Sequence, residues 1–270
     1  MGNFIILSGT PAVGTKHIWN AMKQLHPDVA RNLERVVPYV SREPRLGEKE
    51  GRDFHFRNAK ALYEMATEAS RYLCFLVDRV KCALDMNEVK RIAGLEGKTG
   101  FLEIPPAFFS KVSRRLGQER VSFISVFVSP LSRDEIGKLI FYGGGLEHGS
   151  KQIETLTARK LIFRALLESR QHPGEIEKAA SPNIAGQAQG AFNGLMAAAD
   201  YQWVLPNHCG EGDPNWGFGS EDPVFGDAAR TLASFAAIAR GEVPPYAETW
   251  QGLFPKGTLA LGVPVLDPHK

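Results

Sequence analysis

The chain has 270 residues, 43% of them hydrophobic and 23% charged, which is ordinary for a folded domain and ample to bury a core. Thirty-two Lys and Arg oppose 30 Asp and Glu, a formal charge of +2, so nothing marks the chain as a general nucleic-acid binder. Its three cysteines, Cys74, Cys82 and Cys209, form neither a disulfide framework nor a zinc pattern. The apolar runs are too short to span a bilayer, and no basic-then-apolar leader opens the chain, so no membrane partner and a cytoplasmic address are expected.

In chain order, Asn3–Ser8 is a continuous apolar run of the kind that a strand buried on both faces requires. Gly9 and Pro11 end it, and Ile18, Met22 and Leu25 then repeat with helical spacing. Further strand-like runs lie at Val36–Val40, Tyr72–Val77, Gly100–Ile104, Val121–Val128 and Tyr201–Leu205. Helical stretches separate them at Ala59–Ala69, Met86–Ala93, Pro106–Leu116, Lys151–Ser169 and Asp227–Arg240. Short apolar strands alternating with helices predict an α/β fold with a parallel sheet covered on both faces. Three segments break the rhythm: Gln171–Gly194, rich in Ala, Gly and Gln; glycine-rich Gly210–Gly226; and a proline-rich tail from Glu242. These read as long loops and an extended arm, with Trp216 and Trp250 packing loop and tail onto the body.

The first strand-to-helix turn has the context of a phosphate-binding loop, in which backbone amides and a helix N-terminus face an anion. Ser8-Gly-Thr-Pro-Ala-Val-Gly-Thr-Lys16 carries Gly9 and Gly14 at the required separation. The usual Lys-then-Ser/Thr order is reversed to Thr15-Lys16, and one residue on a helix is a rotation of about 100°. Lys16 is therefore out of register for a nucleotide's β- and γ-phosphates, and Thr15 is out of register as a Mg²⁺ ligand. A plain strand-to-helix turn with two glycines explains this loop equally well.

Ser41-Arg-Glu-Pro-Arg-Leu-Gly-Glu-Lys-Glu-Gly-Arg-Asp-Phe-His-Phe56 sets Arg42 and Arg45 around a proline, and two guanidinium forks on a rigid turn suit a phosphate dianion. A solvated charged loop is the alternative reading. The segment resembles the monophosphate-binding region of the guanylate kinase family, S-x-x-x-T-R-x-P-R-x-G-E-x-x-G-x-D-Y-x-F. Gly97–Ile104 is similar to the family's G-K-x-x-I-L-D-I strand, and Asp200–Asn207 to its Y-D-x-V-x-x-N strand.

The resemblance implies a parallel-sheet, P-loop kinase-like core over residues 1–241, with a lid, inserts at about 171–194 and 210–226, and a tail over 242–270. It implies ATP with Mg²⁺ as cofactor and a GMP-like nucleotide, ATP or another phosphorylated ligand as partner. Residue by residue, Gly9, Gly14, Thr15 and Lys16 would face the donor phosphates, with Thr15 toward Mg²⁺. Arg42 and Arg45 would hold the acceptor phosphate. Phe54 replaces a tyrosine there and loses its hydroxyl. Glu103 replaces the first acid of a D-x-D strand, and Pro105 the second. Pro38 falls where a phosphate-contacting serine is expected, and Asp85 near another serine of the pocket. Asn207 matches the asparagine beside adenine. In the lid, Lys138 and Tyr142 stand near two expected arginines, and Arg159 and Arg164 on the next helix are further sources of charge. Glu211, Asp213, Glu221 and Asp222 of the second insert can repel anions or bind a cation. His208 and Cys209 read as loop residues, and His55 and His148 receive no role. Three functions fit: a divergent nucleoside monophosphate kinase with attenuated activity, a catalytically inactive module that binds a phosphorylated ligand, and a transferase with a different acceptor.

Overall fold

The computed structural model describes residues 4–44, 48–77, 80–142, 144–171, 184–217 and 224–254. Apolar strand β1 (Phe4–Gly9) leads into α1 (Thr15–Leu25) and the short α2 (Pro27–Ala30), followed by β2 (Leu33–Arg35), β3 (Tyr39–Val40), β4 (His55–Phe56) and α3 (Ala59–Thr67). Then come β5 (Tyr72–Val77), β6 (Val80–Asp85), α4 (Met86–Ala93), β7 (Thr99–Glu103), α5 (Phe109–Gln118) and β8 (Phe123–Ser129). The rest comprises α6 (Arg133–Phe141), α7 (Leu146–Gln171), α8 (Ile184–Met196), β9 (Trp203–Pro206) and α9 (Gly226–Arg240).

Five strands form a sheet in the order β2-β7-β1-β8-β9, with every pairing parallel. Side chains alternate along β1 and so feed two cores. Phe4 and Ile6 join Val89, Ile92, Leu116 and Phe127 on one face, and Ile5 and Leu7 join Ile18, Met22, Leu232 and Phe235 on the other. Each such buried side chain contributes about 1.5–3 kcal/mol. The expected parallel sheet covered on both faces is therefore present.

A second sheet, β4-β3-β6-β5, stands apart from it and is mixed: β3 pairs parallel with β4 and antiparallel with β6, and β5–β6 is an antiparallel hairpin. The single strand expected at Val36–Val40 is in fact divided. Val36 still bonds to Phe101 of the first sheet, whereas the Pro38 carbonyl accepts from His55 of the second. Pro38 has no N–H for either ladder, so the crossing between sheets falls there.

The segment 171–194, read as a loop, is helical over α8. Ala188, Ala191, Phe192 and Leu195 recur at helical spacing and are buried, and the helix packs along α7. Side chains as small as Ala and Gly give a weak apolar periodicity, but they allow close helix approach.

Candidate functional site

Gly14 caps α1 at φ 101° and Ala12 is left-handed at φ 59°, so the 9–14 loop folds back sharply into the helix start. Gly9 has no room for a side chain: a Cβ there would come within 2.7 Å of Val13 Cγ1 and 3.0 Å of the Thr15 methyl. The Thr15 methyl thus lies against the loop, while Lys16 is solvent-exposed. Among the described residues, the amides of Gly14, Thr15 and Lys16 donate to no protein acceptor. Three amides at a helix N-terminus form a cradle chemically suited to a phosphate.

The opposite, carbonyl side of this loop is packed by the chain itself. Asn207, fully buried at the end of β9, donates from Nδ2 to the Val13 carbonyl and the Cys209 carbonyl, both at 2.7 Å, and its Oδ1 accepts from Cys209 N–H at 3.2 Å. Glu211 N–H donates to the Ala12 carbonyl at 3.1 Å. A Cβ on Gly14 would meet Asn207, Cys209 and Trp216, each at 3.2 Å. Ala12 itself packs against Leu161 of α7 and Ala188 of α8. His17 stacks on Trp216 with 5.7 Å between ring centroids, and its Nε2 accepts from Gly212 N–H at 3.1 Å. Residues 207–217 therefore brace the loop from behind, and Asn207, expected beside adenine, has its side chain committed to that brace.

Cations come from α7. Lys160 Nζ donates to the His208 carbonyl at 2.6 Å, and burial lowers its pKa below the usual lysine range. Arg164 pairs with Glu211 at 3.1 Å, both largely buried, so this acid of the insert is already neutralised. Arg159 is exposed. The helix explains the difference. Ile153, Thr157 and Leu161 make the buried stripe, Lys160 and Arg164 flank it, and Arg159 lies about 200° around from Leu161. Sequence reading passed over Lys160, yet that wheel could have found it. Lys138 on α6 is also exposed; it pairs with Asp134 at 2.6 Å and lines a surface groove with Phe141, Tyr142 and Leu253.

On the second sheet, Arg42 is gripped bidentately by Glu48, at 2.6 and 2.7 Å. Its guanidinium carbon lies 5.1 Å from the Phe54 ring centroid and 5.8 Å from that of Phe56. Ring packing on the arginine thus survives without a phenolic hydroxyl. Glu50 takes Phe56 N–H at 2.8 Å together with His55 and Arg57, and these hydrogen bonds pull its carboxyl down to about 2. The turn that presents Arg42 is therefore tied down by ionised carboxylates. Arg45 lies outside the described residues. Glu103 ends β7 with its carboxylate 3.8 Å from Arg35, which also donates to the Arg52 carbonyl at 3.1 Å and so links the core sheet to the arginine turn. Asp85 caps α4 and binds Arg71 at 2.9 Å. Among the described residues no His, Cys, Asp and Glu side chains group as a ready metal site, and no helix is long and apolar enough to cross a membrane.

A parallel five-stranded core with an amide cradle after β1, and a separate mixed sheet presenting a clamped arginine, define a P-loop α/β protein of the nucleotide-kinase type. A family model described as guanylate kinase matches residues 1–159. The chain belongs to the guanylate kinase family. The guanylate kinase of Anaplasma phagocytophilum is similar in fold, with 15% identity and a TM-score of 0.50 over 89% of this chain and 85% of that one. No curated protein matches the sequence.

Proposed function

We propose that this chain is a guanylate-kinase-like nucleotide- and phosphate-binding protein in which phosphoryl transfer from ATP to a GMP-like nucleoside monophosphate is attenuated. The observation that carries this reading is the reversed Thr15-Lys16 pair, with the Thr15 methyl against the loop and Lys16 turned to solvent. Phosphoryl transfer depends on positioning and on cations around the developing charge. The amides of Gly14, Thr15 and Lys16 fit a nucleotide phosphate, and Arg42, supported by Phe54, fits the acceptor phosphate once it is released from Glu48. ATP would supply the transferable phosphoryl group and Mg²⁺ the charge to offset it. The hydroxyl available for the metal, that of Thr15, is one residue early, so the metal's ligand set is the poorer fit.

Losing one well-placed cation or donor costs roughly two to three orders of magnitude in rate. The test is the double substitution Thr15→Lys/Lys16→Thr in a coupled assay of GMP-dependent ADP formation. The restored order is expected to raise kcat by at least about tenfold. A wild-type kcat within the ordinary kinase range of about 1–100 s⁻¹, or a swap that lowers turnover, would defeat the reading.

A second reading, a binding module without turnover, draws support from Ala12 being sealed against Leu161 and Ala188. It expects calorimetric binding of GMP or a phosphopeptide, abolished by Arg42→Ala, and no binding of ATP–Mg²⁺.

A further inference from the structure

Arg35 ends β2, the edge strand of the first sheet, and its guanidinium is only partly satisfied. Nη1 donates to the Arg52 carbonyl at 3.1 Å. Nη2 lies 3.8 Å from Glu103 Oε2, beyond hydrogen-bond reach. Nε is buried and, among the described residues, has no hydrogen-bond partner, although the side chain as a whole is 19% exposed. A guanidinium N–H withdrawn from water without an acceptor is costly, and native structures rarely leave one so. Nε–H and the adjacent Nη2–H point the same way and form the fork that takes a carboxylate by two parallel hydrogen bonds. That fork is empty, and the carboxylate beside it, that of Glu103, accepts no hydrogen bond from the described residues.

The empty fork lies where the two sheets join. Arg35 is opposite Phe101 in the β2–β7 register, so Glu103, two residues on, shares its face of the sheet. Arg52 belongs to the turn before β4. Its N–H and that of Asp53 donate to the Lys49 carbonyl at 3.2 and 3.0 Å, and Gly51 N–H donates to the Phe54 carbonyl at 2.9 Å. The Phe54 ring is the one that packs on Arg42. Three residues after Arg35 the chain crosses between the sheets at Pro38, so the Arg35 side chain spans the same joint as the backbone. The charges nearby point to Glu103 as the counter-ion: Lys23 of α1 and the Arg52 guanidinium are cations, and Asp53 is paired with Arg52 at 2.6 Å.

We propose that Arg35 is a positioning residue, a half-made latch whose open fork closes on Glu103 when a bound acceptor phosphate draws Arg42 and the second sheet toward the first, a role that rests on Arg42 holding that phosphate as proposed above. Because Nη1 already holds the Arg52 carbonyl, a shift of the 49–54 turn swings the guanidinium with it. A movement of about 1 Å brings Nη2 to the ordinary length of a charged N–H···O bond. Closure also gives the buried Nε–H its acceptor, so ligand binding and latch closure favour each other.

The test is a double-mutant cycle with Arg35→Met and Glu103→Ala, read both as GMP affinity by calorimetry and as urea unfolding of the ligand-free chain. Each single variant is expected to bind GMP at least about tenfold more weakly, as the loss of one charge-assisted pair dictates, and the double variant to lie within about threefold of the weaker single. In unfolding without ligand the two effects should add, because the pair is not yet made. Arg35→Lys keeps the charge but not the fork and should not restore the affinity. NMR on the wild type needs no variant to fold: the Arg35 Nε–H resonance should move downfield on saturation with GMP. A standing structural ion pair would give the reverse pattern, coupling in stability and additivity in affinity. That pattern, wild-type GMP affinity in Arg35→Met, full rescue by lysine, or an Nε–H resonance that GMP leaves in place would overturn the latch and leave the role of Arg42 intact. A wild-type chain that bound no GMP would overturn the proposed function and the latch with it.

Discussion

At the scale of single residues, Asn207 shows how far a side chain's chemistry depends on what encloses it. It makes three hydrogen bonds with no access to solvent: two as donor to carbonyls and one as acceptor from an amide. Asn207→Ala leaves those backbone groups buried and unpaired and is expected to cost about 2–4 kcal/mol. Asn207→Asp has the same shape, but its carboxylate can only accept and would face two carbonyl oxygens. It is expected to be at least as destabilising as alanine at pH 7, measured as the loss of unfolding free energy in urea. An aspartate that matched wild type would show that the amide is not the link between β9 and the 9–14 loop. Sequence alone suggested a nucleotide contact for this residue, because a motif records residue type and spacing while hydrogen-bond direction appears only in three dimensions. The setting of Arg42 was easier to read, because the residues that surround it, Glu48, Gly51, Asp53 and Phe54, lie within one short stretch of sequence.

At the scale of elements, legibility followed the strength of the periodic signal. β1, β5, β7, β8 and β9 agree with the apolar runs to within about two residues, as do α3, α4 and α9. Apart from β5, the second sheet was not legible. β3 and β4 have two residues each and β6 reads as part of a continuous stretch, so none carries a period long enough to count. Glycine in strand β7 is a case where sequence shows the residue but not its reason. A Cβ on Gly100 would lie 2.3–2.5 Å from the ring of Phe4 on the neighbouring strand, and Phe4 is fully buried. Overpacking of this kind typically costs about 1–3 kcal/mol, and here the obstructing atoms belong to a ring that cannot bend away. Gly100→Ala is expected to lose at least about 2 kcal/mol of stability. Combining it with Phe4→Leu should recover part of that loss, giving a favourable coupling in a double-mutant cycle. Independent, additive effects would mean that the glycine is required for some other reason than the ring.

At the scale of the whole molecule, the described part of the proline-rich tail, residues 242–254, belongs to the folded unit. Its prolines and lack of periodicity suggested an extended tail over residues 242–270 packed onto the body, and the described part, up to residue 254, is woven into the core. Glu248 and Val204 exchange backbone hydrogen bonds of 2.8 and 2.9 Å, adding an antiparallel bridge outside β9. The Glu248 carboxylate accepts Arg133 N–H at the start of α6 and Trp250 Nε1–H, both at 2.8 Å, and Arg133 donates to the Thr249 carbonyl. Trp250 is wholly buried within the same core as Phe4 and Phe127. Removing a buried tryptophan side chain costs about 3–5 kcal/mol, a large share of the roughly 5–15 kcal/mol that holds a domain together. Trp250→Ala is therefore expected to move the main unfolding transition of the full-length chain to clearly lower urea by circular dichroism, as one cooperative step. Trp250→Phe keeps most of the apolar contact and loses the indole N–H, while Glu248 retains Arg133, so it should fall between wild type and alanine. An appendage would behave differently. Its loss would leave the main transition where it was and add at most a separate low-amplitude step, because α6, β9 and the cores on both faces of the sheet would not depend on it.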